Sequence, residues 1–523
     1  MKVLNLIKSN STFVFIAFLI LLTLAVYGRT LTFDYVHFDD NKLILKKIDV
    51  LKNYKNIPKY FLEPVGESFG AFYRPILNVS LAIDSFISGA NPFSYHLTNV
   101  VLHVIAVILM FVLLNRMDFN KTAVCFFTLL FAVHPAFVQA VAWIPGRNDT
   151  LIAVFAFASL LFLQDYLNDR KNIKIVLFFL TCLLGFFTKE TMVVTVVMVP
   201  VFMFLFCRNV SRRDYFLITA GLLILSGIYF AGRLYVLSGV GYSAYTILTN
   251  VKNSLPLFLS YIEFAVVPAR IYLFNIAMPV DFLALAPLVI FIIPLASALF
   301  FNNGRKNIII FGALWFIIFM LPSFAYSAKL NYYYSHRLYL ASFGIIIMFL
   351  EFFTVLLRKR KFLKKYFIML FFILICVFSV FSYWQSKKFA NRFYFLSNAL
   401  IESPDIAVIH YEAALYYTDI GMLEEGKREI LLAIDLEPKN LKYHEYLGYM
   451  YGLEKDYGSA KEVFENVLKH NSEKKDSLYN LSQLYFISGK KKEALELAER
   501  LIKLYPSELK YRNYYDEVNG NVK

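Results

Sequence analysis

Long apolar stretches set the first constraint on this chain. Eleven fall near residues 12–29, 95–115, 122–138, 150–167, 174–188, 192–207, 214–236, 283–301, 307–326, 337–357 and 366–384. A helix needs about 20 apolar residues to cross a bilayer, and helices satisfy their own backbone groups there. The chain therefore reads as an all-α, polytopic membrane bundle of about 11 spans. A further apolar run, 254–268, is bracketed by Pro256 and Pro268 and is too short to span. It reads as re-entrant or interfacial. Only 17% of residues are charged, against about 25% in soluble domains.

Charge gives the expected sidedness. From residue 397 on there are 17 Lys+Arg and 22 Asp+Glu, leaving 36 basic and 16 acidic residues in 1–396. The basic excess lies between apolar runs, at Arg116/Lys121, Arg170/Lys171/Lys174, Arg208/Arg212/Arg213, Arg305/Lys306 and "RKRKFLKK" at 358–365. Basic loops stay cytoplasmic. The N-terminus is thus expected inside, and loop 30–94 and the C-terminal tail outside. Cations spread this way form no single basic face, so nucleic acid is not an expected partner. Cys125, Cys182, Cys207 and Cys376 are isolated and show no metal or disulfide spacing.

The tail, 397–523, carries a 34-residue period with repeats near 407–440, 441–474 and 475–508. Ala414, Gly448 and Ser482 share one position, and Tyr417, Tyr451 and Tyr485 another. Gly421 and Gly489 share a turn position where Lys455 departs. This pattern resembles tetratricopeptide repeats, which implies an α-solenoid able to dock a protein partner.

Polar residues that do not belong in lipid gather at the expected outer ends of the spans. They are Arg74, His96, His134, Arg147, Asp149, Lys189, Glu190, Arg337 and Tyr339, and the first outer loop adds Asp39 and Asp40 in "FDYVHFDDNK". Intramembrane polar groups of this kind are functional candidates. A carboxylate can take the proton of an acceptor hydroxyl, while Arg and Lys neutralise a leaving phosphate. No Gly-rich phosphate loop or Walker sequence is present, which argues against a nucleotide donor. Structural roles compete with these: a turn or cap for Asp39 and Asp40, interface anchors for Arg74 and Arg147, a helix-end salt bridge for Lys189 and Glu190.

In order, "FDD", "YRPILNVSLAID", "NPFSYHLTNVVLH", "HPAFVQAVAWIPGRNDTL", "TKET" and "HRLYLASFG" resemble the TMTC family, the transmembrane and tetratricopeptide-repeat proteins of the GT-C glycosyltransferase superfamily, and its bacterial members above all. The resemblance implies a membrane O-mannosyltransferase-like enzyme. Its donor would be a polyprenyl-phosphate-linked hexose, with mannose expected, and transfer would invert the sugar carbon. The acceptor would be a protein Ser/Thr or glycan hydroxyl outside the cytoplasm, and the membrane an inner (plasma) membrane. It also implies Asp39 or Asp40 as the base; the other nine residues, read from the polar cluster itself, are the candidates for binding donor phosphate or substrate. The family commonly has an acid where His336 stands here. No cofactor is otherwise expected, although paired carboxylates can hold a divalent cation. The competing reading is a non-catalytic, membrane-anchored repeat scaffold.

Overall fold

The computed structural model describes residues 2–65, 72–208, 210–238, 255–268, 270–275, 282–300, 305–327, 334–360 and 362–520. The chain forms two compact units, Met1–Phe395 and Leu396–Lys523. It is all-α; among the described residues the only strand-like feature is an isolated bridge between Val65 and Phe72.

The first unit contains α1 (Lys2–Tyr27), α2 (Asp39–Leu43), α3 (Pro75–Ser88), α4 (Pro92–Asn115), α5 (Arg147–Asp169), α6 (Arg305–Ser327) and α7 (Leu338–Lys359), with further helices between them. Among the described residues, seven helical segments are long and apolar enough to cross a membrane: Thr12–Thr32, Pro92–Asn115, Ile144–Asp169, Arg212–Val236, Arg305–Ser323, Ser335–Arg358 and Leu363–Phe389. An eighth is a pair, Lys121–Ala132 and Pro135–Ala142, bent by 44°. Pro135 explains the break, since it cannot continue an α-helical ladder.

The remaining three expected spans are shorter apolar helices, Asn172–Phe186, Glu190–Phe206 and Leu285–Phe300. Fifteen residues, the length of Asn172–Phe186, rise only about 22 Å. Pro200 interrupts the second, and Pro287 and Pro294 the third. Residue 301, the end of the expected span 283–301, lies outside the described residues. The run expected to re-enter contains a 12-residue helix, Leu255–Val266.

Burial sorts the spans. The segments built on α5 and α7 are 67% and 72% buried and form the centre. Arg212–Val236 and Leu363–Phe389 are each 22% buried, exposing residues such as Phe216, Ile224, Phe372 and Val380. Exposed apolar side chains on such long helices suit lipid. The protein is an integral membrane protein.

Glycine sets the closest helix approach. A Cβ at Gly344 of α7 would lie 2.3 Å from the Gly312 carbonyl oxygen of α6. Small residues let membrane helices meet at backbone distance. Gly344→Val is therefore expected to destabilise the protein by at least about 1–3 kcal/mol. A lower melting temperature in detergent checks this; an unchanged one refutes the packing argument.

The second unit is a succession of short helices packed on their neighbours in sequence order: Ala407–Asp419, Leu423–Leu436, Leu441–Leu453, Tyr457–His470, Lys475–Ile487, Lys491–Leu504 and Leu509–Asn519. Tyr411, Ala414, Ile430 and Ala433 pack with Tyr443, Leu447 and Met450, so each pair's core is completed by the next. Gly448 admits Phe464, whose ring a Cβ would meet at 2.9 Å. Lys455 adopts φ 63°, the same left-handed conformation as Gly421 (81°) and Gly489 (75°). The turn survives the sequence departure because side chains tolerate this region at modest cost.

Candidate functional site

Two ion pairs form the centre of the site. Arg74 stands just before Pro75 at the start of α3, and the Ile76 amide donates to the Phe187 carbonyl at 3.2 Å. That bond brings Arg74 to the "TKET" turn. Its Nε and Nη2 donate to the two Glu190 carboxylate oxygens at 3.1 and 2.6 Å. The adjacent Lys189 donates from Nζ to Asp149 Oδ1 at 2.6 Å. Asp149 lies in the first turn of α5, where a helix N-terminus favours negative charge. Lys189 and Asp149 are 9% and 4% exposed. His336 joins the pair, with Nε2 3.8 Å from Asp149 Oδ2. Arg337 lies within electrostatic range of both Asp149 and His336, and its Nη1 donates to the Ser323 carbonyl at 3.1 Å.

Arg147 is only two residues from Asp149 but is held differently. It is 0% exposed. Its Nε donates to Asn99 Oδ1 at 2.8 Å, Nη1 to Ser80 Oγ at 2.9 Å, and Nη2 to the Tyr95 carbonyl at 2.7 Å. Asp84 Oδ2 is 2.5 Å from Nη2. Each guanidinium nitrogen is engaged by α3 or α4. The geometry therefore makes Arg147 a clamp among helices, unlike the phosphate contact expected for it. Gly146 permits the turn before it, since a Cβ there would fall 2.3 Å from the Gln139 carbonyl oxygen.

Tyr339 is also committed to the scaffold. It lies 2.6 Å from His103 Nδ1, while His103 Nε2 is 2.9 Å from the Ala132 carbonyl. A carbonyl only accepts, so Nε2 carries the proton and the Tyr339 hydroxyl donates to Nδ1. His134 caps the Pro135 turn, its Nδ1 accepting the Ala136 amide at 3.3 Å. Neither Tyr339 nor His134 shows a hydrogen bond to the Arg74–Glu190 and Lys189–Asp149 pairs. His96 lies edge-on to Phe33 at 6.1 Å and is buried.

The first loop places the paired aspartates. His37 takes φ 62°, an uncommon region for a non-glycine residue. The reversal brings Asp40 back so that its Oδ2 accepts the Val36 amide at 2.8 Å. Asp40 is 1% exposed. Burial, reinforced by the Asp39 charge and opposed by the Val36 amide, pushes its carboxyl up to about 7. Asp39 opens outward instead, with its side chain 36% exposed and Lys42 Nζ 3.8 Å away. Helix α2 packs on Ile144–Gly146, the turn that leads into Arg147 and Asp149. Tyr35 rests against Tyr95, whose carbonyl holds Arg147. The loop and the ion-paired centre thus share one support.

Of the expected residues, Arg74, Asp149, Lys189 and Glu190 form one network with His336. Asp84 was not singled out in the sequence. Its signal was available: it is an acid inside the apolar run "NVSLAIDSFI".

Residues 75–231 match the family model described as dolichyl-phosphate-mannose-protein mannosyltransferase, and residues 476–508 match a tetratricopeptide-repeat model. Protein O-mannosyl-transferase TMTC1 of Mus musculus is 32% identical over 28% of this chain and 16% of its own length. Protein O-mannosyl-transferase F38B6.6 of Caenorhabditis elegans is 25% identical over 70% of this chain and 54% of its own. The chain thus spans about half or less of the curated relatives it matches. The crystal structure of MamA is 17% identical over 24% of this chain and 74% of that one, at a TM-score of 0.22, too slight a likeness to bear on fold or function. A mannosyltransferase-type helical membrane domain followed by tetratricopeptide repeats defines the class. Within it, this chain is similar to the TMTC protein O-mannosyl-transferases.

Proposed function

We propose that this chain transfers mannose from a polyprenyl-phosphate donor to a protein hydroxyl on the extracytoplasmic side of an inner membrane. The observation that carries this reading is the enclosed pairing of Arg74 with Glu190 and Lys189 with Asp149, beside a loop bearing two carboxylates. Arg74, Lys189 and Arg337 are the cations that would receive the donor phosphate, Arg74 by its fork and Lys189 as a point charge. Glu190 and Asp149 hold those cations in place until the phosphate arrives.

The base must reach the acceptor, so geometry comes before acidity. Asp39 is open and Asp40 is enclosed, which supports proton removal by Asp39 and loop positioning by Asp40. The acceptor oxygen bonds to the sugar carbon as its proton passes to Asp39. The bond from that carbon to the phosphate oxygen breaks, and polyprenyl phosphate leaves with the electron pair. The positive-inside pattern supports a cytoplasmic N-terminus with the site and the repeats outside. The repeats would then present a surface to the acceptor protein or to a protein partner.

A divalent cation would find Asp39 and Asp40 in the loop. Among the described residues no group of three or more His, Cys, Asp or Glu is placed to hold a metal ion. No step is therefore routed through a metal, and transfer is expected to persist in EDTA. Proteoliposomes carrying the full chain, polyprenyl-phosphate mannose and an acceptor peptide test both points. Transfer that EDTA abolishes and a divalent cation restores would contradict the all-side-chain account.

A further inference from the structure

Three buried polar atoms beside the Lys189–Asp149 pair have no hydrogen-bond partner among the described residues: Trp143 Nε1, His336 Nδ1 and Asp149 Oδ2. Buried polar groups are normally satisfied, so orphans gathered in one place call for a ligand. These three belong to one nest. The Tyr334 and His336 rings stack with centroids 5.1 Å apart and an interplanar angle of 24°. Trp143 lies 5.9 Å from Tyr334 and 6.0 Å from His336. Asp149 Oδ2 is 3.8 Å from His336 Nε2. The His336 amide meets Gln139 Oε1 at 3.4 Å.

We infer that Trp143, Tyr334 and His336, with Asp149, form the subsite for the hexose of the donor. This inference rests on the donor reading above. Aromatic walls accept the C–H face of a pyranose, and its hydroxyls both donate and accept. With Nε2 of His336 on the side of the Asp149 carboxylate, 3.8 Å away, the neutral tautomer protonated at Nε2 leaves Nδ1 with a lone pair to offer. A sugar hydroxyl donates to His336 Nδ1, and Trp143 Nε1 donates to a hydroxyl oxygen. Asp149 orients the imidazole while holding Lys189, which couples the sugar position to the phosphate cation. His336 is here a specificity-determining residue.

The test compares two probes, polyprenyl phosphate and polyprenyl-phosphate mannose, binding to the full chain in detergent. The wild type is expected to bind the sugar-bearing lipid about tenfold tighter or better. Trp143→Phe and His336→Phe keep a ring but remove the polar atom. Each is expected to bring the preference close to unity while affinity for polyprenyl phosphate stays within about twofold. His336→Asn, which retains a hydrogen-bonding group, is expected to recover part of the preference. An unchanged preference in both ring variants overturns the subsite and leaves the donor reading standing. Equal loss of both lipids in both variants also overturns it, because the residues then do not read the sugar. A wild type that binds neither lipid above a neutral-lipid control overturns the donor reading and the subsite together.

Discussion

Asp39→Asn is expected to lower mannose transfer by about 10²–10⁴-fold, the range a positioned general base contributes. Asparagine keeps the size and the capping capacity but cannot accept the acceptor's proton. Asp40→Asn is expected to cost less in rate and to leave a distinct signature in stability. The Asp40 carboxyl rises from 3.8 to about 7 in the folded chain, so the folded state holds the proton that the unfolded chain releases first. Stability is therefore expected to fall as pH rises from about 4 to 7, since the unfolded state binds fewer protons there. Asp40→Asn removes that titration and should flatten the slope. Melting curves in detergent across this window check it. A slope that persists in Asp40→Asn, or a full transfer rate in Asp39→Asn, would contradict the division of roles between the two residues.

Arg147→Met is expected to be among the most damaging single changes to the fold. It leaves Asp84, 2% exposed at its side chain, as an uncompensated buried charge. Breaking one partner of such a pair costs about 3–5 kcal/mol. It also strands Asn99 and Ser80, which tie α3 and α4 to the start of α5. Adding Asp84→Asn to Arg147→Met removes the stranded charge and should recover part of the loss. The contrast is Arg116 with Asp165, whose side chains are 38% and 31% exposed. An exposed pair of this kind is worth about 0–1 kcal/mol, so Arg116→Met should leave the melting temperature nearly unchanged. Equal effects at the two sites would show that burial does not decide the outcome.

The all-helical class was legible because apolar length is a direct requirement of the bilayer. Span ends were less so, because prolines at 135, 200, 287 and 294 cut apolar runs that composition alone presents as continuous. The tetratricopeptide register was legible because one unit repeats, and Lys455 shows that a turn conformation can outlast its glycine. At the site, the residue types were legible one by one, since charges in apolar surroundings stand out. Their partners were not. Arg74 meets Glu190 across 116 positions, an encounter set by the Ile76–Phe187 backbone bond and the packing of Tyr73 on Phe187. Arg147 and Lys189 look equivalent in sequence, yet Asp84 and Asn99 turn the first into a clamp. The orphaned Trp143 nitrogen had no sequence signal, because a missing partner exists only in three dimensions.

The central claim is group transfer by this membrane domain, and a single-turnover reaction measures it most directly. Purified full-length protein is mixed with polyprenyl-phosphate mannose and an acceptor peptide in the presence of EDTA. The expected result is polyprenyl phosphate and mannosylated peptide appearing in equal amounts, with inverted configuration at the sugar carbon, and neither appearing with Asp39→Asn. Product formed equally by the wild type and Asp39→Asn, or by neither, would contradict the account.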